Sequence, residues 1–281
     1  MKIAITAEST IDLTKELLEK YDIHTIPFQV LLGDDEYRDG EIAPQQIFDY
    51  VKSTKVLPKT SAINEYTYNE FFESMLKSYD AVIHFALSSE ISSACHNAQE
   101  AAKKLKNVYV VDSRSLSTGI ALLAIYANKL AMQGLPAEEV YKKTQARVKD
   151  VQAGFIINRL DYLYKGGRCN ALQLFGANLL KLKPEIALKD GKMVVEKKYR
   201  GKLDEVLKSY AKNLLERHPD PELDVVFITY TTADEQVVED LTTFLKACGF
   251  KNVYITTAGC TITSHCGEYC LGVLFMDKPK Y

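Results

Sequence analysis

Three times in its first half the chain runs a short apolar stretch straight into a cluster of hydroxyl side chains that opens a helical segment. Residues 3–6 lead to Ser9-Thr10-Ile11-Asp12, residues 81–87 to Ser88-Ser89-Glu90-Ile91-Ser92-Ser93, and residues 108–111 to Asp112-Ser113-Arg114-Ser115-Leu116-Ser117-Thr118. Strands alternating with helices imply βαβ units and a mainly parallel sheet. In such a sheet the loops leaving the carboxyl ends of the strands line the ligand crevice. Helix amino ends there present free N–H groups and a partial positive charge. Hydroxyls beside them make a small polar pocket that tolerates anions, which predicts a ligand with an acidic or phosphorylated head.

The alternation continues. Helical patterns cover 15–20, 43–53, 65–79, 92–105, 118–133 and 137–150, with β-rich stretches at 25–32 and 36–39 and a loop over 58–64. Near Val151 the pattern changes. A short apolar run at 155–158 precedes Gly166-Gly167-Arg168 and a helix through 171–182. Residues 185–188 and 193–198 then flank Asp190-Gly191, a signature of a tight hairpin. Helices at 203–218 and 234–248 and strands at 225–230, 253–257 and 270–276 complete the chain. With 281 residues, one core is usually exceeded. The expected architecture is α/β in two domains: 1–150 with a mainly parallel sheet flanked by helices, 151–281 with a mixed sheet and helices, and the ligand site between them.

Charge excludes several partners. The 35 basic and 37 acidic residues are interspersed, so no bulk field favours nucleic acid. The longest apolar run, 120–127, is far shorter than a membrane span. Six irregularly spaced cysteines read as reduced thiols, and with no signal-peptide pattern at the amino terminus the expected location is the cytoplasm. Gly-x-Gly-x-x-Gly, Gly-Lys-Ser/Thr, His-Glu-x-x-His and Gly-x-Ser-x-Gly are all missing from the sequence, so dinucleotide, P-loop, zincin and α/β-hydrolase chemistry lack their usual supports.

One helix cap accounts for one serine, and four serines within 88–93 exceed that need. Gly166-Gly167-Arg168 reads equally as a grip for phosphate or carboxylate and as a helix end with a surface arginine. Cys260, His265, Cys266 and Cys270 have no Cys-x-x-Cys pair, so no metal is expected and His265 reads as a hydrogen-bond donor to an anion or as an acid/base. If Ser92 were a nucleophile with His265 as its base, a small acyl hydrolase or transferase would follow, with Glu90 or Glu268 left to orient the imidazole.

Taken in order, these segments resemble the DegV family of bacterial fatty-acid-binding proteins over essentially the whole chain. The matching stretches are Glu8-Ser9-Thr10-Ile11-Asp12-Leu13, Thr60-Ser61-Ala62-Ile63, the serine cluster at 88–93, Val111-Asp112-Ser113, Lys183-Pro184 and His265-Cys266-Gly267. The most specific is Leu160-Asp161-Tyr162-Leu163-Tyr164-Lys165-Gly166-Gly167-Arg168. The resemblance implies a long-chain fatty acid held between two α/β domains, its carboxylate contacted by Thr60, Ser92 and His265, with Ser61 and Thr263 as lesser contacts. It further implies a carrier rather than an enzyme, with no cofactor and no catalytic residue. The carrier would present the carboxylate to a fatty acid kinase, with Arg200 near the kinase or phosphate, and carry the acyl-phosphate to an acyltransferase, with transient contact at a membrane surface. Glu90 stands where the family often has glycine, and a carboxylate there suits an anionic ligand only if it points away or is paired.

Overall fold

A computed structural model of the protein describes residues 1–169 and 182–279. The helix expected over 171–182 falls on 170–181, outside the described residues. The chain opens with β1 (Ile3–Glu8), a 3-10 turn at Ser9–Ile11, α1 (Lys15–Lys20), β2 (Ile23–Ile26), β3 (Gln29–Leu32), β4 (Asp35–Arg38), α2 (Pro44–Thr54) and β5 (Lys59–Ser61). It continues through α3 (Glu65–Leu76), β6 (Ala81–Ala86), α4 (Ala94–Lys103), β7 (Val108–Asp112), α5 (Thr118–Met132) and α6 (Ala137–Arg147). After these come β8 (Val151–Ile156), α7 (Leu160–Lys165), β9 (Lys183–Lys189), β10 (Lys192–Tyr199), α8 (Leu203–Arg217) and β11 (Pro221–Tyr230). The last described elements are α9 (Glu235–Ala247), β12 (Asn252–Thr257), α10 (Cys260–Cys266) and β13 (Leu271–Asp277).

Three sheets result among the described residues. The first has order β2-β1-β6-β7, every pair parallel, with Ile5 beside both Ile23 and Ile83. Its strand order reverses beside β1, so the carboxyl ends of β1 and β6 border the crevice where such sheets bind ligands. The second is mixed, β10-β9-β8-β13-β11-β12, with only β11 and β12 parallel. The β9–β10 hairpin turns at Asp190 and Gly191 with φ of 50° and 80°, the positive pair that a two-residue turn of this hand requires.

The third sheet, β4-β3-β5, departs from expectation. The β-rich stretch 25–32 is two strands in two different sheets, and the loop expected over 58–64 contributes β5. Only three residues pair there, with Thr60 opposite Val30, too short a run to leave a periodic signature.

The longest apolar run became α5. Residues 118–125 are all buried, because the helix packs on β1 and β6 of the first sheet and on β8, β11 and β13 of the second. A helix apolar on every side must be enclosed on every side. One continuous core therefore joins Ile5, Phe85 and Ile120 to Phe155, Phe227 and Leu274. No helix among the described residues is long and apolar enough to cross a membrane.

Candidate functional site

A cavity of about 440 Å³ opens where β5, the 87–93 loop, α10 and the turn after α7 meet. That lies within the range of roughly 300–1,000 Å³ usual for small-molecule sites. Thr60, Ser61, Ser92, Arg168 and His265 all line it, although they come from four separate parts of the chain. Leu87, Leu116, Met193 and Ile262 supply apolar wall. Beyond Leu116, Ile262 and Cys266 lies a smaller apolar space of about 30 Å³, bordered by Phe155 and Leu274.

Thr60 Oγ1 and His265 Nε2 are 2.8 Å apart. The other ring nitrogen, Nδ1, is enclosed without a hydrogen-bond partner among the described residues. We therefore assign the ring proton to Nε2, which donates to Thr60 and leaves the threonine hydroxyl proton for the cavity. Burial, with the Arg168 guanidinium adding to it, pushes the His265 imidazole down to about 4, so it is neutral at physiological pH. Ser92 Oγ accepts from the Ala94 amide at 3.2 Å, and its own proton is likewise free to face a ligand. Arg168 is exposed at the rim and donates to the Gly166 carbonyl at 2.6 Å.

Two glycines explain why the Gly166-Gly167-Arg168 and His265-Cys266-Gly267 motifs occur together. A side-chain carbon on Gly166 would stand 2.8 Å from His265 Nδ1, and one on Gly267 would stand 2.7 Å from the Tyr162 ring. Helices α7 and α10 interlock through these two close approaches, which fixes the imidazole against backbone. Gly267 also has φ 67° and ψ −169°, a conformation essentially confined to glycine.

The expectations fare unevenly. Thr263 does not reach the cavity, because it is fully buried and its hydroxyl donates to the Ala258 carbonyl at 3.3 Å. Arg200 is exposed and also lies away from the cavity lining. Of the hydroxyls in the three clusters only those of Ser92 and Ser93, in the second, belong to residues lining the cavity; the third contributes Leu116. Ser88 instead donates to the Gly191 carbonyl, Ser89 bonds Asp112, and the Ser115 carbonyl receives the Ser88 amide. Such hydroxyls satisfy loop backbone that cannot enter a sheet. Glu90 points away: it pairs with Arg114 at 3.2 Å and Lys192 at 3.5 Å.

Helix α10 was not anticipated, and its cap explains why. Gly259 offers no capping side chain. Asp39 accepts from the Cys260 and Thr261 amides at 2.8 and 3.2 Å, and Asp12 accepts from Gly259 at 2.8 Å. Burial, with Asp39 nearby, raises the Asp12 carboxyl to about 8 against the pull of its hydrogen bonds from Ser117 and Gly259. Phe28, Asn97, Met193 and Thr261 also line the cavity and were not singled out by the sequence.

The hydrolase arrangement is not assembled. His265 bonds Thr60, and no carboxylate among the described residues hydrogen-bonds its ring; Glu268 lies 4.0 Å from Arg159 instead. Among the described residues no cluster of three or more His, Cys, Asp or Glu side chains is placed to hold a metal; Cys260 donates to the Ile42 carbonyl at 3.1 Å, and Cys266 and Cys270 are buried free thiols.

The family profile described as "Uncharacterised protein, DegV family" matches residues 2–278. The chain belongs to the DegV family. A curated DegV relative, the "Fatty acid-binding protein" of Thermotoga maritima, is 31% identical over 279 residues, covering 97% of this chain and 96% of its own. A solved DegV family protein from Thermus thermophilus, described by its fatty acid binding, superposes with a TM-score of 0.91 at 26% identity over 99% of this chain and 100% of its own. A stearic acid-binding protein from Eubacterium ventriosum gives a TM-score of 0.84 at 25% identity over 99% and 98%.

Proposed function

We propose that the protein binds one long-chain fatty acid and does not transform it. The observation that carries this reading is the meeting of Thr60, Ser92 and neutral His265 in one cavity that Leu87, Leu116, Met193 and Ile262 also wall. The Thr60 and Ser92 hydroxyls, the first oriented by the His265 Nε2–H, hold a carboxylate without a permanent ion pair, so its oxygen stays open to a second protein. The tail runs past Leu116 and Ile262 between the units 1–150 and 151–281. Each methylene removed from water contributes about 0.8 kcal/mol, and roughly ten of them outweigh the head group before the costs of association are subtracted. The fatty acid ligands of the Thermotoga maritima, Thermus thermophilus and Eubacterium ventriosum relatives support the same ligand class.

Presentation to a fatty acid kinase and carriage of the acyl-phosphate to an acyltransferase extend this reading. Arg168 stands at the cavity rim for the transferred phosphate, and exposed Arg200 offers a contact for the kinase. The test is native mass spectrometry of the purified protein followed by lipid extraction. A fatty acid near one per chain is expected. Protein that is empty and takes up no added fatty acid would refute the reading.

A further inference from the structure

The last residue of β1, Glu8, is fully buried and lies outside the cavity lining, yet it grips the stretch of chain that leads to Ser92. Its Oε2 accepts the Leu87 amide at 2.6 Å and its Oε1 accepts the Tyr68 hydroxyl at 2.7 Å, with His84 Nε2 3.6 Å from Oε1. Burial, with the Glu8 carboxylate adding to it, raises the Tyr68 phenol well above its usual value, so that hydroxyl stays a donor. Strand β6 ends at Ala86, so the Leu87 amide is the first one past the strand, and Leu87 is only 4% exposed. A buried amide beyond the sheet needs an acceptor, and the Glu8 side chain supplies it.

Leu87 is itself part of the cavity wall, and the next residue, Ser88, anchors Ser92. The Ser88 amide donates to the Ser115 carbonyl at 3.0 Å and its hydroxyl to the Gly191 carbonyl at 2.8 Å. Its carbonyl accepts the Ile91 and Ser92 amides at 2.9 and 3.1 Å. Glu8 and Ser115 thus hold the two successive amides from which the turn to Ser92 hangs. We propose that Glu8 is a positioning residue for the fatty acid head group: its carboxylate fixes Leu87 and, through the Ser88 carbonyl, sets where the Ser92 hydroxyl meets the ligand. This rests on the fatty acid reading of the site. Glu8 touches no ligand atom in this scheme, and its effect on affinity passes through Ser92.

Glu8→Met keeps the length of the side chain and removes both acceptors. Glu8→Gln keeps an oxygen for the Leu87 amide and turns its own amide toward the Tyr68 oxygen, while Tyr68→Phe removes the other bond of Glu8 and spares Leu87. Affinity for palmitic acid is measured by calorimetry beside the unfolding temperature without ligand, and Glu8→Met is repeated in a Ser92→Ala chain. The methionine variant is expected to bind roughly three- to tenfold more weakly, with the glutamine variant at least as tight as wild type. Tyr68→Phe should lower the unfolding temperature and leave affinity unchanged. In the Ser92→Ala chain the methionine loss should shrink to less than about twofold, because no hydroxyl is left to position. A Tyr68→Phe affinity loss as large as that of Glu8→Met, or a methionine loss that persists in full without the Ser92 hydroxyl, would overturn the proposal while leaving fatty acid binding intact. Should the methionine variant not fold, amide exchange in the wild type decides: by reciprocity, saturating palmitic acid slows the Leu87 amide at least about threefold more than that of Val226 in the second sheet, and equal slowing would overturn the proposal. A wild type that takes up no palmitic acid would overturn both readings together.

Discussion

Replacing Asp12 with asparagine tests how the helix bearing His265 is held. In the folded chain the Asp12 carboxyl is raised from 3.8 to about 8, chiefly by burial. Between about pH 4 and pH 8 the unfolded chain has lost this proton and the native chain keeps it. The native state then binds more protons, so stability falls as pH rises, by up to about 1.4 kcal/mol per pH unit from this one group. Across the whole window the cost reaches about 6 kcal/mol, a large share of a typical domain's stability. Asparagine imitates the neutral acid: its carbonyl oxygen still accepts from Gly259, and its amide can donate to Ser117. The variant should therefore lack this slope, and its gain on wild type should grow from about 1 kcal/mol at pH 4.5 to about 5 kcal/mol at pH 8. The sequence has no tryptophan, so guanidinium unfolding is followed by circular dichroism at half-unit pH steps. Parallel stability curves for the two proteins would show that Asp12 is ionised in the native state and would refute the argument.

Three further outcomes follow from the site. Thr60→Val should weaken fatty acid binding roughly three- to tenfold and lower stability by about 1–3 kcal/mol, because the buried His265 Nε2–H loses its acceptor; an unchanged titration would remove Thr60 from the head-group contacts. Gly267→Ala should destabilise the fold by about 2–5 kcal/mol in chemical denaturation, because the new carbon meets the Tyr162 ring and the backbone conformation excludes it; a loss under 1 kcal/mol would mean α7 and α10 can separate freely. Arg200→Ala should leave fatty acid titrations untouched and lower turnover in a reconstituted kinase assay, and normal turnover would end its assignment as a kinase contact.

What the sequence disclosed and what it hid differ by range. The strands β1, β6 and β7, the helix α5 and the Asp190-Gly191 hairpin follow from local periodicity and turn chemistry, and each lies where that chemistry puts it. Thr60, Ser92 and His265 were singled out through their motifs, and the fold brings them to one cavity. The short elements escaped for a shared reason. β5 is three residues whose pairing partner is β3, and α10 is seven residues whose caps are carboxylates near the other end of the chain. Neither carries enough of its own stabilisation to be read locally. The first and third hydroxyl clusters looked like ligand groups because loop backbone and ligand oxygen call for the same donors. Only their bonds to Asp39, Asp12 and neighbouring carbonyls separate the two uses.

The bond between Thr60 and His265 spans 205 residues, and the Asp12 clamp on Gly259 spans 247. On a ribosome, the pocket's first wall would emerge long before its histidine. A chain ending between residues 112 and 259 would have the strands of the parallel sheet and the Thr60 and Ser92 hydroxyls, but neither His265 nor the helix that Asp39 caps. A chain holding a ligand against His265 is therefore one in which segments more than 200 residues apart have already met.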